Sequence, residues 1–406
     1  MNWEIKALDI TSAFLQADGI DREIYLRPPG DIRTKGIIWK IFKPVYGLGD
    51  SARRWYLTLR DKLLLLGCTV SKLDKSLFIF YDNNKFIGLI VTHVDDLLYA
   101  GTSKFHSEVI REILKFFKIS KMHDGTFVYL GLSVIQHKGF ITLDQRNYTK
   151  SIDPVDITLN RRKEPEDRLT ENEQNQYQQK LGQLLWLSGQ SRPDLSFDTL
   201  ELSTYTKHAQ VKHILNKAIK KSAQGPKAMK FRAIDLAKDE LKIIFYSDAS
   251  LGNLSEKANS CRAYLVFVSN GKIANLVAWS SCKVKRVVHS TFGAETFACI
   301  DGMAAAIYVR QMICEILYGD PNLRVIPIFG NIDSKQLSDQ ILSSKQCDDM
   351  RLRLDIAGIQ ESVQTKEIES IQWIPTAEML ADCLTKKGAD TSVLSNIIEN
   401  GLFIQS

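Results

Sequence analysis

Short apolar runs of strand length alternate with helix-period segments over the first 150 residues. Ile5-Lys6-Ala7-Leu8 leads into Asp9, apolar positions recur at helical spacing over residues 52–66, and residues 87–94 read as a strand that resumes at 97–100 beyond Asp95-Asp96. A helix is expected over 107–117, followed by strands at 126–136 and 139–143 that form a hairpin about His137-Lys138-Gly139. Such a succession describes a mixed α/β layer.

The pattern changes after residue 150. Residues 151–174 turn polar, and Arg161-Arg162-Lys163-Glu164-Pro165-Glu166-Asp167 has no apolar periodicity, so this stretch reads as a linker or exposed loop. Helical spacing returns over 175–224 (Leu181, Leu184, Leu185, Leu187), interrupted by Ser191-Arg192-Pro193-Asp194, where Pro193 suits the first turn of a helix. A second α/β region opens with strands at 241–246, 262–269 and 273–280. A helix from about Ser290 follows, then strands at 325–331 and 369–373 and a final helix. The expected fold class is α/β (α+β) in three regions, 1–150, 151–239 and 240–406.

A length of 406 residues exceeds what one hydrophobic core supports and excludes a minimal binding module. Hydrophobic content of 44% and charged content of 25% are those of an ordinary globular protein, and no apolar run appears long enough to span a bilayer, so no membrane association is expected. The start lacks a basic segment followed by an apolar one, which points to an intracellular setting. Seven scattered cysteines without a CxxC pair suggest reduced thiols rather than zinc or disulfides. The formal charge of +6 fits a polyanionic partner without requiring one.

Two acid sites stand out in the first region. Leu8-Asp9-Ile10 sets an acid at the end of an apolar strand, and Val94-Asp95-Asp96-Leu97 sets two more between apolar segments. Taken singly, Asp9 reads as a cap of the helix after it and Asp95-Asp96 as a solvated hairpin turn. Taken together they suit phosphoryl transfer, which needs hard oxygen donors holding two divalent cations about 3.5–4 Å apart. Asp9 is followed by Ala13-Phe14-Leu15, Glu23-Ile24-Tyr25-Leu26, Pro28-Pro29-Gly30, Tyr46-Gly47-Leu48 and Arg54-Trp55-Tyr56, before Val94-Asp95-Asp96-Leu97-Leu98. In that order the motifs resemble the reverse transcriptase of copia-type (Pseudoviridae) LTR retrotransposon Pol polyproteins. The resemblance continues through Tyr129-Leu130-Gly131, Gly139-Phe140-Ile141-Thr142-Leu143-Asp144-Gln145 and Arg192-Pro193-Asp194-Leu195-Ser196-Phe197, so it covers nearly the whole chain.

The resemblance implies a reverse transcriptase palm over 1–150, a linker with helical thumb or connection over 151–239, and a ribonuclease H-like mixed sheet flanked by helices over 240–406. It makes Asp9, Asp95 and Asp96 the catalytic metal ligands of the polymerase, with two Mg²⁺ per active site and Mn²⁺ as an alternative. Phe14 matches the aromatic gate against a 2′-hydroxyl, and reads equally as ordinary core. The family carries fingers strands ahead of the first acid, whereas eight residues precede Asp9 here, so an N-terminally truncated polymerase is expected. The pocket also departs from the family. His93 replaces the tyrosine of Tyr-Val-Asp-Asp, and Gly49-Asp50-Ser51 replaces Lys-Gln-Ser, which puts the Asp50 carboxylate at the nucleotide-binding position, where it would repel phosphate.

A second acid series follows: Tyr246-Ser247-Asp248 ending a strand, Ser290-Thr291-Phe292-Gly293-Ala294-Glu295 opening a helix, Asn331-Ile332-Asp333 ending another strand, and Ala381-Asp382 in a late helix. Individually, Glu295 reads as part of a capping box and Asp333 and Asp382 as solvated. With Ala381-Asp382-Cys383-Leu384-Thr385-Lys386 resembling the family's closing motif, Asp248, Glu295, Asp333 and Asp382 look like the ribonuclease H tetrad, again with Mg²⁺. No histidine follows His289, so histidine-aided product release is not expected.

Backbone contacts to nucleic acid are expected from Arg53-Arg54, from Lys217 with Lys220-Lys221, and above all from Lys283-Val284-Lys285-Arg286, which lies between a strand and the Glu295 helix. Each run reads equally as a solvated face, and Arg54 as packing beside Trp55. The implied partners are an RNA template, a DNA primer, RNA–DNA hybrid and deoxynucleotides, with integrase and protease segments if the chain belongs to a polyprotein that also performs DNA integration. The expected setting is a cytoplasmic particle, the nucleus or both. The leading reading is an RNA-directed DNA polymerase joined to a ribonuclease H. The alternatives are a ribonuclease H-only piece and an inactive or co-opted remnant that binds nucleic acid.

Overall fold

The structure is a computed structural model that describes residues 3–32, 36–213, 215–226, 228–236, 238–254 and 259–403. The chain divides into two compact units, Asn2–Leu130 with Glu315–Pro321, and Gly131–Cys314 with Asn322–Ser406.

In the first unit six strands form one antiparallel sheet in the order Thr69–Val70, Leu77–Asp82, Lys85–His93, Asp96–Gly101, Lys6–Ile10, Ile119–Asp124. Alternation sorts the central strands into two faces: Leu8 and Ile10, and Leu97 and Tyr99, enter the core, while Asp9 and Asp96 point the other way. The helix Ser51–Leu65 covers the apolar face with Trp55, Leu59 and Leu63. A helical run over 103–116 joins it, beginning ahead of the expected 107 because Thr102 caps it by accepting a hydrogen bond from the Phe105 N–H. Phe105 lies where a Cβ at Gly88 or Gly101 would come within 2.2 and 2.3 Å of its ring, so both strands need glycine at the contact.

The strand expected at 126–136 is two strands, Thr126–Tyr129 and Leu132–His137. Leu130 at φ 48° and Gly131 at φ 78° turn the chain left-handed between them, which ends a β run. The hairpin beyond forms as expected, with His137 opposite Phe140 across Lys138-Gly139, and its second strand, Phe140–Asp144, also pairs with Met229–Arg232.

In the second unit a helical layer packs around Tyr177, Leu181, Leu184, Leu187 and Leu195. The helix Glu171–Gln190 starts at a capping box, Thr170 with Glu173. The stretch before it is only partly the exposed loop expected: Ile152, Val155 and Ile157 are buried in this layer's core, and the exposed remainder is tethered, since Arg161 pairs with Asp167 at 2.7 Å and Glu173 at 3.1 Å. Pro193 opens the 3₁₀ helix Pro193–Leu195. The main sheet runs Asn275–Lys283, Asn259–Ser269, Lys242–Leu254, Ile328–Ile332, Ser370–Trp373; the first three are antiparallel and the last two run parallel to Lys242–Leu254. Three antiparallel strands followed by two parallel ones, with helices between, is the expected ribonuclease H-like order. Helices Thr291–Tyr318, Lys335–Leu342 and Arg353–Gln364 contribute to a core with Ile243, Phe245 and Ile328.

The 28-residue helix Thr291–Tyr318 is long and apolar enough by length and composition alone to cross a membrane, a test that the core helix of a globular protein also passes. Its apolar character has a local reason: Cys299, Met303, Ala306 and Cys314 are buried in the core of the sheet unit, and it carries Glu295, Asp301 and Arg310. All seven cysteines are free.

Candidate functional site

Parallel pairing builds the acid site of the second unit. Ser247 lies opposite Ile332 in the register of the two central strands, so the next residues, Asp248 and Asp333, leave neighbouring strands side by side. Asp248 does not end its strand as expected; the strand continues to Leu254, held by antiparallel pairing with Asn259–Ser269. Asp382 comes from a 3₁₀ helix, Leu380–Leu384, rather than an α-helix. Asp248, Asp333 and Asp382 each offer a carboxylate oxygen within 4.8 Å of the others.

Glu295 stands beside this trio. It is not part of a capping box: Ser290 accepts a hydrogen bond from the Gly293 N–H, and Glu295 instead accepts from the Ala249 N–H through Oε1 at 3.3 Å. Its Oε2 is buried with no hydrogen-bond partner. Burial, then the charges of Asp248 and Asp333, push the Glu295 carboxyl far above the usual range. Asp248 is 1% exposed and is pushed up by burial as well, against the pull of Lys386 and Thr385. Three converging carboxylates and an orphaned fourth form a hard-oxygen donor set, which fits a divalent cation such as Mg²⁺.

Two residues quoted in the closing motif but given no role prove central. The Thr385 hydroxyl donates to Asp248 Oδ2, fixing that carboxylate. Lys386 Nζ sits 2.6 Å from Asp382 Oδ1 and 3.8 Å from Asp248 Oδ1. Burial opposes the ammonium, but Asp248, Asp382 and Asp333 outweigh it, so its pKa is raised. The signal was present in the sequence: Thr385 and Lys386 follow Asp382 at helical spacing, and both backbone N–H groups return to the Asp382 carbonyl at 3.1 Å. Asp333 is steadied by the Thr376 hydroxyl at 3.0 Å, and its carbonyl accepts from Trp373 Nε1 at 2.9 Å.

The basic run beside this site is a strand end and loop. Buried Val284 donates its N–H to the Ser260 carbonyl at 2.9 Å, leaving Lys283 and Lys285 exposed on either side. Arg286 lies over the Phe297 ring at 5.3 Å and 3.6 Å from Asp355, so its charge is partly engaged.

In the first unit Asp9 pairs directly opposite Asp96, and Val94-Asp95 forms the tight turn of the next hairpin, with Val94 at φ 55°. The Trp55 indole N–H donates to the Val94 carbonyl, and the Ile10 N–H to the Asp95 carbonyl at 2.9 Å, so the turn is clamped from two sides. Burial, then Asp95 and Asp9, raise the Asp96 pKa. Among the described residues, Asp9, Asp95 and Asp96 do not converge as tightly as the trio of the other unit. Phe14 is buried in the core and packs on Tyr46 with ring centroids 4.7 Å apart. Asp50 is compensated: Arg54 Nε donates to it at 3.0 Å and Arg22 at 2.8 Å. Arg54 also binds Asp21 at 2.6 Å, whereas Arg53 is exposed.

Comparison with known proteins adds to this geometry. A family model for reverse transcriptase (RNA-dependent DNA polymerase) matches residues 1–164. The Retrovirus-related Pol polyprotein from transposon RE1 of Arabidopsis thaliana is 27% identical over 405 residues, covering 95% of this chain and 26% of its own length. That from transposon RE2 of the same plant is 26% identical over 406 residues, covering 95% and 27%. The chain thus spans about a quarter of the length of these relatives. The putative transposon Ty5-1 protein YCL074W of Saccharomyces cerevisiae is 25% identical over 301 residues, 69% of this chain and 94% of that protein. A solved N-terminal RNase H domain of Rv2228c from Mycobacterium tuberculosis aligns with 36% of this chain at 15% identity and a TM-score of 0.27; the fold assignment rests on strand order and not on that score.

Proposed function

Because the chain belongs with the copia-type LTR retrotransposon Pol polyproteins and carries a reverse transcriptase region followed by a ribonuclease H-like region, we propose that it hydrolyses the RNA strand of RNA–DNA hybrids and takes part in RNA-directed DNA synthesis. In this reading residues 1–150 are the palm, 151–239 the connection and 240–406 the ribonuclease H domain. The observation that carries the hydrolytic activity is the convergence of Asp248, Asp333 and Asp382 next to the unpartnered Glu295 oxygen.

Two Mg²⁺ ions, when bound, would supply Lewis acidity at the scissile phosphate. The chain's own residues supply the rest. Asp248, held by Thr385, and Asp333, held by Thr376, present their oxygens from neighbouring parallel strands, Asp248 from within its strand and Asp333 from just past the end of the other. Asp382 completes the set, and Glu295 reaches it from the first turns of its helix. Lys283 and Lys285 would hold phosphates of the hybrid through charge rather than base identity. In the palm, Asp9, Asp95 and Asp96 would hold the metals of DNA synthesis, Phe14 would face the sugar of an incoming deoxynucleotide, and Asp50, with its charge met by Arg22 and Arg54, would contact that nucleotide. Arg53 would reach the template or primer backbone.

The looser gathering of the palm acids favours a second reading in which hydrolysis is the only chemistry of this chain. The test is cleavage of a labelled RNA strand in a hybrid with Mg²⁺, wild type against Asp248→Asn, with primer extension in parallel. Cleavage abolished by Asp248→Asn, with extension present, supports the full reading. Cleavage without extension selects hydrolysis alone. Hybrid binding without either reaction refutes both in favour of a binding remnant.

A further inference from the structure

Four acids crowd the second site, yet one cation already lies among them. Lys386 Nζ touches Asp382 Oδ1 at 2.6 Å and lies 3.8 Å from Asp248 Oδ1. Those two carboxylates and that of Asp333 are mutually within 4.8 Å, so the ammonium occupies the same oxygen environment that a divalent cation would need. We propose that Lys386 is a built-in competitor for the metal: its ammonium holds the acids together in the metal-free protein and must withdraw before the site fills. This rests on the reading of these acids as metal ligands and names how their occupancy is regulated.

The side chain is suited to both positions. It is 38% exposed, so a path to solvent lies open, whereas Asp248, at 1%, cannot leave. A lysine is a point charge on a flexible stem, and one rotation about that stem exchanges carboxylate for water. Its backbone does not move with it, because the Lys386 N–H is tied to the Asp382 carbonyl at 3.1 Å and the neighbouring Thr385 is fully buried. The Asp248 carboxylate also keeps its Thr385 partner when the ammonium leaves, so the donor set need not be rebuilt. The ligands are therefore preorganised by a cation that is not the one they serve.

Two consequences separate this role from a plain structural ion pair. Removing the charge should tighten metal binding, because nothing has to be displaced, and should weaken the metal-free protein, because the acids repel without a counter-charge. A structural lysine would weaken the protein without tightening the metal. The experiment is Mn²⁺ binding by electron paramagnetic resonance and calorimetry on the full chain, with melting in chelator and in saturating Mn²⁺. The parent, Lys386→Met, Lys386→Gln and Asp248→Asn are compared in a full chain that also carries Asp95→Asn and Asp96→Asn, so that Mn²⁺ held by the palm acids does not enter the reading. Lys386→Met is expected to bind Mn²⁺ on the order of tenfold more tightly, as for loss of an opposite charge at this range. It should melt lower in chelator, with the difference removed by saturating Mn²⁺. Lys386→Gln should follow it and serves if the methionine variant fails to fold. Unchanged or weaker Mn²⁺ affinity in folded Lys386 variants, with binding lost in Asp248→Asn, overturns the competitor and leaves the metal site standing. Undiminished Mn²⁺ binding by Asp248→Asn overturns the metal site and the competitor with it.

Discussion

Arg192 and Asp194 form an ion pair whose removal has a calculable cost. Their side chains are 5% and 1% exposed, and the guanidinium grips the carboxylate with both forks, Nε to Oδ1 at 2.8 Å and Nη2 to Oδ2 at 2.7 Å. The remaining N–H groups donate to the Lys221 and Ser222 carbonyls at the end of helix Asn216–Gln224. Ser222 would ordinarily be paired by the N–H four residues on, but that residue is Pro226, which has none, so Arg192 supplies the missing donor. Arg192→Met keeps the bulk, leaves the Asp194 carboxylate buried without a counter-charge, and orphans the Ser222 carbonyl. Breaking such a pair costs about 3–5 kcal/mol and the orphaned carbonyl about 1–3 more. Adding Asp194→Leu removes the stranded charge and should recover most of the first contribution, leaving the double variant about 1–3 kcal/mol below wild type. Urea denaturation of the four members of the cycle, with hydrogen exchange at residues 221–224 as a local probe, measures this. A double variant as unstable as the sum of the singles, or a cost below about 1 kcal/mol for Arg192→Met, would refute the reasoning.

Two further outcomes follow from other contacts. Gly88→Ala would push a Cβ to 2.2 Å from the Phe105 ring, which is fully buried, so a loss of about 1–3 kcal/mol is expected, relieved by pairing it with Phe105→Leu; thermal melting of both variants decides it. In chelator, Asp248 and Glu295 carry pKa values raised by burial from 3.8 and 4.5 to about 7 and about 9, so the folded state binds protons more tightly than the unfolded one. Metal-free stability should therefore be greatest below about pH 4 as far as these two groups are concerned and fall as pH rises toward 9. A melting temperature that rises over that interval in chelator would contradict the burial of these acids.

The sequence carried much of this because its hydrophobic alternation and its motifs agree. The Asp9 and Asp96 positions are opposite in phase to Leu8, Ile10, Leu97 and Tyr99, so their solvent-facing side could be read directly from alternation. Glu295 lies on the predicted helix, and Pro193 opens a helical turn as its fixed φ suggests. What could not be read were facts of pairing. The extension of the strand past Asp248 depends on the Asn259–Ser269 partner, and the break at Leu130-Gly131 depends on two consecutive left-handed residues, of which only the glycine was a visible signal. Asp50 looked like a repulsive charge because Arg22 lies far from it in sequence; the fold brings the two to 2.8 Å. The tie of Lys386 to Asp382 could be read from their spacing of four, but its approach to Asp248 could not, since that acid lies on a distant strand.

The direct opposition of Asp9 and Asp96 has a consequence for how this palm tolerates change in length. Because side chains on a strand alternate strictly, a one-residue insertion within Lys6–Ile10 or Asp96–Gly101 would bury an acid and expose a leucine at once. The connection between the two strands is free of that constraint wherever it loops, since the hydrogen-bonded ladder and not the contour of the chain brings the acids together. Indels in the intervening loops should thus accumulate without dispersing this pair, while the strands themselves admit substitution but not a change in count.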